Sequence, residues 1–240
     1  MIGVFLPGAT QRDQMLAGLG ALAGIAVTYL VTRLALGPGP LPLLVAPMGA
    51  SAVLIFAVPA SPLAQPWSVI GGNTVSALVG VIAARLIGDV TIAAAVAVGG
   101  AIAIMSLLRC LHPPGGAAAL TAVIGGPVVA AAGLAFPFTP VALNAVLLTL
   151  AGLAFHRFSG HSYPHRPVPV APPDRHPEDL DAALADMHEA FDIDREDLEQ
   201  LLARVEHHAA ERRRLKRKGP AAVNGPRPIS SANGSRISRP

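Results

Sequence analysis

The sequence predicts an all-α protein, a polytopic bundle of transmembrane helices over residues 1–160 that is followed by a polar helical tail. The chain is 52% hydrophobic and only 14% charged, whereas a soluble domain carries about 25% charged residues. The charge is also unevenly distributed. Residues 1–160 hold only seven charged side chains, which are Arg12, Asp13, Arg33, Arg85, Asp89, Arg109 and Arg157.

Two uncharged runs are too long to be one helix each. Residues 34–84 and 110–156 contain no Asp, Glu, Lys or Arg, whereas a helix needs about 20 apolar residues to cross the hydrocarbon core. A signal peptide does not explain them, because its apolar region occurs once and spans about 7–15 residues. We predict six membrane elements, at about residues 14–36, 42–59, 68–88, 90–110, 114–134 and 139–158. The fifth is interrupted by Gly125-Gly126-Pro127, and the second and fifth either cross the membrane or turn back.

The second and fifth elements share a pattern that suggests an internal repeat. Each begins with P-x-G-A-x-A, at Pro47 and at Pro114, and a helix with an early asparagine follows each, with Asn73 in one half and Asn144 in the other. We interpret the chain as two repeats of three elements, which would be inverted in the membrane, as in many transporters. The alternative is a chance match, because Ala and Gly are abundant throughout.

Basic residues after the last element orient the chain. Arg157 lies at the end of that element, and Arg166 and Arg175 follow it. An excess of basic residues marks the cytoplasmic side, so we place the tail in the cytoplasm. We divide the tail into a Pro/His-rich linker over 161–176, a helical segment over 177–218 and a disordered C-terminus over 219–240. These assignments follow from Pro content, helical spacing of apolar residues and low complexity, respectively.

The stretch from His112 to Gly116 is the most unusual in the chain. Pro113 and Pro114 stop the fourth element and preset the start of the fifth, and the following glycines would leave the first-turn N–H groups unobstructed. A helix start with free N–H groups suits a small anion, and Pro47 would begin a second one. The candidate substrate-binding residues are His112, Pro113, Pro114, Gly115, Gly116, Pro47, Gly49, Ser51, Asn73 and Asn144.

Other interpretations of these residues are open or weaker. His112 would act at membrane depth as a hydrogen-bond donor or proton partner, or it would be an interfacial residue that caps the preceding helix. Cys110 beside His112 lacks the four-ligand pattern of a structural metal site. The membrane half has no paired aspartates and no Ser-His arrangement near the motif. We therefore expect no enzyme activity, no metal, no cofactor and no nucleic-acid partner.

Three motifs, in order, resemble the HPP family of integral membrane proteins, which is named for its His-Pro-Pro motif. They are LHPPGGAAA at 111–119, APMGASA at 46–52 and QPWSVIGGN at 65–73, and the resemblance covers about residues 15–158. It implies a transporter of nitrite or a similar small anion. Residues 179–214 resemble the linker that leads into CBS domains in many bacterial members, and we expect a bacterial member without those domains.

The sequence therefore predicts an integral membrane transporter or facilitator of a small anion, with nitrite implied by the resemblance. The alternative is a non-transporting membrane sensor or scaffold that acts through its cytoplasmic tail helix. We expect a multi-pass protein of the bacterial inner membrane whose partners are the lipid bilayer and the anion. Small residues on many helices would also permit a homo-oligomer.

Overall fold

The structure, a computed structural model, describes residues 11–37, 39, 41–166, 177–187 and 193–217. Every regular element in these residues is helical, which confirms the predicted all-α class. The α-helices are α1 (Gln11–Leu36), α2 (Pro47–Ala57), α3 (Pro66–Leu86), α4 (Val90–Leu107), α5 (Pro114–Ile124), α6 (Gly126–Ala132), α7 (Leu143–Ser159), α8 (Pro177–Met187) and α9 (Arg195–Arg217).

Local chemistry explains most of the helix ends. The helices α2 and α5 begin at Pro47 and Pro114, because proline presets a helical φ and has no N–H to leave unpaired. The carboxylate of Asp89 accepts a hydrogen bond from the Ile92 N–H at 2.9 Å and so caps the start of α4. The helix α7 ends at Ser159, and the next residue, Gly160, has a left-handed φ of 85°.

Two of the predicted membrane elements have other bounds in the structure, and the predicted interruption of the fifth is confirmed. The second begins at Pro47, because residues 41–46 are irregular. The fourth ends at Leu107, since the chain turns at Arg109 with a φ of 53°. The fifth is broken into α5 and α6, whose axes differ by 96°, next to Gly126 with its φ of 84°. Glycine and proline thus break the apolar run inside the membrane domain.

The helices α1 and α7 run antiparallel. Near the start of α1, Gly20 lies against the ring of Phe155, which is near the end of α7. Near the other end, the Asn144 Nδ2 donates to the Thr32 Oγ1 at 3.0 Å. The helix α1 therefore begins at the end of the bundle where α7 ends. We call this end the tail side and the opposite end the far side.

The turn before α3 also lies on the tail side, because the Tyr163 hydroxyl, just after α7, donates to the Ala64 carbonyl at 2.9 Å. The chain therefore passes from the far side, where α1 ends, back to the tail side through residues 41–57. The irregular stretch at 41–46 and the short helix α2 together make this passage.

The broken fifth element runs the length of α3 and does not turn back. At the start of α3, the Trp67 Nε1 donates to the Leu108 carbonyl just before α5, at 3.1 Å. At the end of α3, the Arg85 guanidinium lies against Gly133, just after α6. The fifth element therefore passes from the tail side to the far side of the bundle. The inverted relation between the two predicted repeats stays a prediction.

The outer faces of the membrane helices are apolar. Four helical stretches are long and apolar enough to span a membrane, and the bent pair α5 and α6 adds a fifth. Large exposed side chains on them include Leu19, Leu34, Ile92, Leu107 and Phe158. Small residues fill the interior, where Ala97, Ala101 and Ala118 are fully buried. This distribution is that of a protein surrounded by lipid rather than by water.

The predicted helical segment at 177–218 consists of two helices, α8 and α9, in the residues that the structure describes. The Arg195 guanidinium at the start of α9 bonds to Asp181 of α8 and holds the pKa of that carboxyl below its ordinary value. The helix α9 begins directly after Asp194. Residues 167–176 of the predicted linker and the predicted C-terminus at 219–240 lie outside the described residues.

Candidate functional site

A buried polar cluster joins α2, α3 and the segment before α5. The side chains of Ser51, Asn73 and His112 are all 0% exposed. The Ser51 Oγ lies 2.8 Å from the His112 Nε2. The Asn73 Nδ2 donates to the Ser51 Oγ at 3.2 Å and to the Val69 carbonyl at 2.9 Å. Three of the predicted site residues thus form one network.

The hydrogen bonds of this cluster have a defined direction. The His112 Nδ1 lies 2.8 Å from the Leu63 carbonyl, and a carbonyl only accepts, so this nitrogen carries the ring proton. The Nε2 of the neutral ring is then an acceptor, and the Ser51 hydroxyl donates to it. The donors therefore run in order from Asn73 to Ser51, from Ser51 to His112 and from His112 to Leu63.

One acceptor in the cluster has no partner. The Asn73 Oδ1 is buried without a hydrogen bond, one of two such side-chain atoms among the described residues, the other being the Thr28 Oγ1. Exchanging the amide oxygen and nitrogen of Asn73 does not remove this, because the Val69 carbonyl would then face another acceptor. A buried unpaired polar atom costs about 1–3 kcal/mol, so this oxygen favours a bound donor.

The first-turn N–H groups of α2 and α5 are not free, and the prediction that the glycines leave them available is wrong. In α5, the Gly115 N–H donates to the His112 carbonyl at 2.8 Å, and the Gly116 N–H donates to the Pro113 carbonyl at 3.0 Å. In α2, the Gly49 N–H donates in the same way to the Ala46 carbonyl at 3.1 Å. The reason is that Ala46 and Pro113 already have helical backbone angles.

Glycine is required where α3 and the start of α5 approach most closely. A Cβ added at Gly72 would lie 2.5 Å from the His112 Cβ and 2.7 Å from the Cys110 carbonyl oxygen. A Cβ at Gly115 would lie 2.6 Å from the Ser76 Oγ. Real Cβ atoms do not come so close to a neighbour. These two glycines therefore allow His112 to reach into the cluster.

The remaining predicted glycines have open surroundings. No atom lies within 4 Å of a Cβ added at Gly49 or Gly116. Gly49 lines an apolar groove of about 540 Å³ between α1 and α2, together with Ile25 and Leu44. A side chain at either position would not contact the His112 cluster, although Gly116 is adjacent to Gly115 in the chain.

Asn144 lies in a second polar cluster. Its Oδ1 accepts from the Val45 N–H at 3.0 Å, and its Nδ2 donates to the Thr32 Oγ1 at 3.0 Å and to the Leu43 carbonyl at 3.1 Å. The contacts with Val45 and Leu43 hold the irregular segment before α2, and the contact with Thr32 joins α7 to α1. The structure therefore places Asn144 as an anchor for the start of α2, while Asn73 lies beside His112.

The three predicted prolines shape helix starts. Pro47 and Pro114 are buried, and Pro113 is exposed.

Sequence reasoning missed Leu63, because its backbone carbonyl accepts the hydrogen bond from His112 and any residue would supply such a carbonyl. It also missed Thr32, because a threonine in an apolar helix has no pattern that points to its partner.

The segment after α7 holds the turn that bears Leu63. The Tyr163 hydroxyl donates to the Ala64 carbonyl, and the His165 N–H donates to the Gln65 Oε1 at 2.9 Å. Burial raises the pKa of Tyr163 above its ordinary value, so the hydroxyl keeps its proton. The His165 Nε2 also lies 2.8 Å from the Asp197 carboxylate of α9. The tail thus contacts the turn that supports His112.

We expect Tyr163→Phe to loosen this turn. The substitution removes the only hydroxyl of that ring and leaves the Ala64 carbonyl without this donor, which costs about 1 kcal/mol. Amide hydrogen exchange at residues 61–65 should become several-fold faster. Tyr29→Phe is the control, because Tyr29 is exposed on α1. Equal exchange in both variants would show that the hydroxyl does not hold the turn.

Comparison with known proteins agrees with this architecture. Residues 7–164 match the family described as "HPP, transmembrane region". A transmembrane protein of Dictyostelium discoideum is 38% identical over 151 residues, which are 61% of this chain and 53% of that protein. A second one is 40% identical over 114 residues, 46% of this chain and 36% of that protein. The chain thus spans about half or less of these curated relatives, and no solved structure matches. The chain belongs to the HPP family of transmembrane proteins.

Proposed function

We propose that this protein is an integral membrane transporter or facilitator of a small anion, with nitrite as the first candidate. The observation that carries the proposal is the buried network of Ser51, Asn73 and His112, which lies where two proline-started helices meet in a membrane domain. Polar and ionisable groups at membrane depth are rare and mark substrate or proton pathways. Paired segments that are interrupted by Gly and Pro are typical of transporter sites.

The distribution of charge favours an anion over a cation. Residues 1–160 contain five arginines and two aspartates. Asp89 is exposed, and its carboxylate caps α4, so it offers no counter-charge to a cation at the cluster. The start of α5, directly after His112, contributes partial positive charge there. In this proposal the chain moves a solute and catalyses no reaction.

Nitrite uptake into proteoliposomes tests this function. We expect saturable uptake above that of empty liposomes, and a roughly ten- to hundredfold loss in His112→Ala, because the variant removes two buried hydrogen bonds worth about 1–3 kcal/mol in all. His156→Ala is a matched control. His156 is also buried, and its ring contacts the Ile55 carbonyl and Ser159, but it lies outside the cluster.

Two results would contradict the proposal. Folded protein that takes up nitrite no faster than empty liposomes would remove nitrite as the substrate, and formate and nitrate would then be tested in the same assay. An equal loss in His112→Ala and His156→Ala would mean that the first variant acts through general destabilisation and not through a site.

A second candidate function is a non-transporting membrane sensor or scaffold that acts through the tail helix. The contact of His165 with Asp197 favours it, since this contact joins α9 to the segment that holds the turn at Leu63. It predicts no flux, and a loss of function on deletion of residues 177–217 with an intact membrane domain. A bacterial inner membrane, a cytoplasmic tail and a homo-oligomer remain parts of the proposal.

A further inference from the structure

We propose that the species that occupies the His112 cluster is the uncharged, protonated form of a small weak acid, so that the anion crosses together with one proton. This inference rests on the proposed transport function and names the chemical form of its substrate. It is carried by the unpaired Asn73 Oδ1 and by the absence of a free donor among the side chains of the cluster.

Every side-chain donor of the cluster already makes a hydrogen bond within the protein. Both amide protons of Asn73 are used, on Ser51 and on Val69. The Ser51 hydroxyl donates to His112, whose ring proton goes to the Leu63 carbonyl. The nearby N–H groups of Gly115 and Gly116 bond to carbonyls of their own turn. A bare anion, which only accepts hydrogen bonds, would find no side-chain donor here and would lose its hydration without compensation.

No basic side chain compensates the charge of a bare anion either. The five arginines of the membrane domain are Arg12, Arg33, Arg85, Arg109 and Arg157, and all of them are exposed. The pairing that a buried charge requires is therefore missing at the cluster. Asp89 offers no counter-charge to a cation there either, because it is exposed at the start of α4 on the far side.

An undissociated weak acid needs neither a free donor nor a basic side chain from the cluster. It carries no net charge, and its O–H is the donor that the buried Asn73 Oδ1 lacks. The proton balance is simple. The anion takes one proton from solution on one side, crosses as the acid and returns the same proton to solution on the other side. No protein side chain changes its charge, and no net charge crosses the membrane.

Membrane potential distinguishes this from transport of the bare anion. Proteoliposomes are clamped at a potential with potassium and valinomycin at mildly alkaline pH, where leakage of free acid through lipid is small, and empty liposomes give the background. A bare anion would redistribute about 50-fold at equilibrium for ~100 mV. We expect no redistribution with potential, and acidification of the lumen by one proton for each nitrite taken up. Redistribution that follows the potential would overturn the inference while it supports anion transport.

Substrate choice gives a second, independent test. Nitrate has the charge of nitrite and a similar size, but it is the anion of a strong acid and stays unprotonated in neutral water. We expect uptake of nitrite and of formate, and exclusion of nitrate. Uptake of nitrate at the nitrite rate would overturn the inference. Uptake of none of the three by folded protein would overturn the proposed function, and this inference with it.

The variant Asn73→Leu tests the acceptor itself. It replaces the amide with an apolar side chain of similar size, and we expect at least a tenfold loss of nitrite uptake. Thr74→Val is the control on the same helix, since the Thr74 hydroxyl bonds only to its own helix at the Ile70 carbonyl. Size-exclusion profiles and circular dichroism establish that both variants fold. Wild-type uptake by folded Asn73→Leu would overturn the assignment.

Discussion

Replacing Asn144 with alanine is expected to destabilise the membrane domain by roughly 2–4 kcal/mol. The change leaves the Val45 N–H and the Leu43 carbonyl without their partner in α7, and each unpaired backbone group costs about 1–3 kcal/mol. The bond to Thr32 adds less, because interhelical hydrogen bonds in membranes average about 0.6 kcal/mol. The loss is large because one side chain holds three segments.

Thermal unfolding in detergent measures this effect, with Val146→Ala as the control. Val146 is exposed two residues further along α7, so the control removes side-chain volume without an internal partner. The double variant Asn144→Ala with Thr32→Ala should lose little more than Asn144→Ala alone, since the two residues share one bond. Equal melting temperatures for Asn144→Ala and Val146→Ala would show that α2 is held in place by other contacts.

The adjacent residues Gly115 and Gly116 should respond very differently to alanine. In Gly115→Ala the new Cβ would lie 2.6 Å from the Ser76 Oγ and 2.9 Å from the Gly72 carbonyl oxygen. Relief of the second contact requires α3 and α5 to separate, because a backbone atom cannot rotate away. Overpacking of this kind costs about 1–3 kcal/mol. Gly116→Ala meets open space and should be neutral or slightly stabilising, since alanine favours helix.

The same pair tests whether close packing positions His112. If α5 shifts in Gly115→Ala, the Ser51 Oγ no longer reaches the His112 Nε2, and nitrite uptake should fall even at temperatures where the variant is folded. Gly116→Ala should keep wild-type uptake. Loss of uptake in Gly116→Ala, or wild-type stability in Gly115→Ala, would contradict the packing of α3 against α5 described here.

The membrane architecture could be predicted from the sequence because its causes are local. The uncharged runs at 34–84 and 110–156 are long enough for two elements each, and Pro47 and Pro114 mark two helix starts wherever the chain folds. The Gly-Gly-Pro sequence that begins at Gly125 predicts a break in the fifth element. It does not predict the 96° angle between the two halves. Bend angles depend on what the two halves pack against.

The anion chemistry was harder to predict, because hydrogen-bond partners are assigned by packing. The glycines after Pro114 suggested free N–H groups, but the helical angles of Pro113 bring carbonyls to within bonding distance. Asn73 and Asn144 occupy similar places in the two predicted repeats. In the structure, one lies beside His112 and the other anchors the segment before α2.

The sequence by itself determined the helical class, the membrane setting, the helix starts at proline and the presence of a polar motif at His112. Tertiary structure alone decided the partners. The Leu63 carbonyl lies 49 positions from His112, and Thr32 lies 112 positions from Asn144. The unpaired Asn73 Oδ1 likewise exists only because three elements meet around it. Apolar length and backbone geometry act within a segment, whereas a hydrogen bond between distant segments exists only after they have packed.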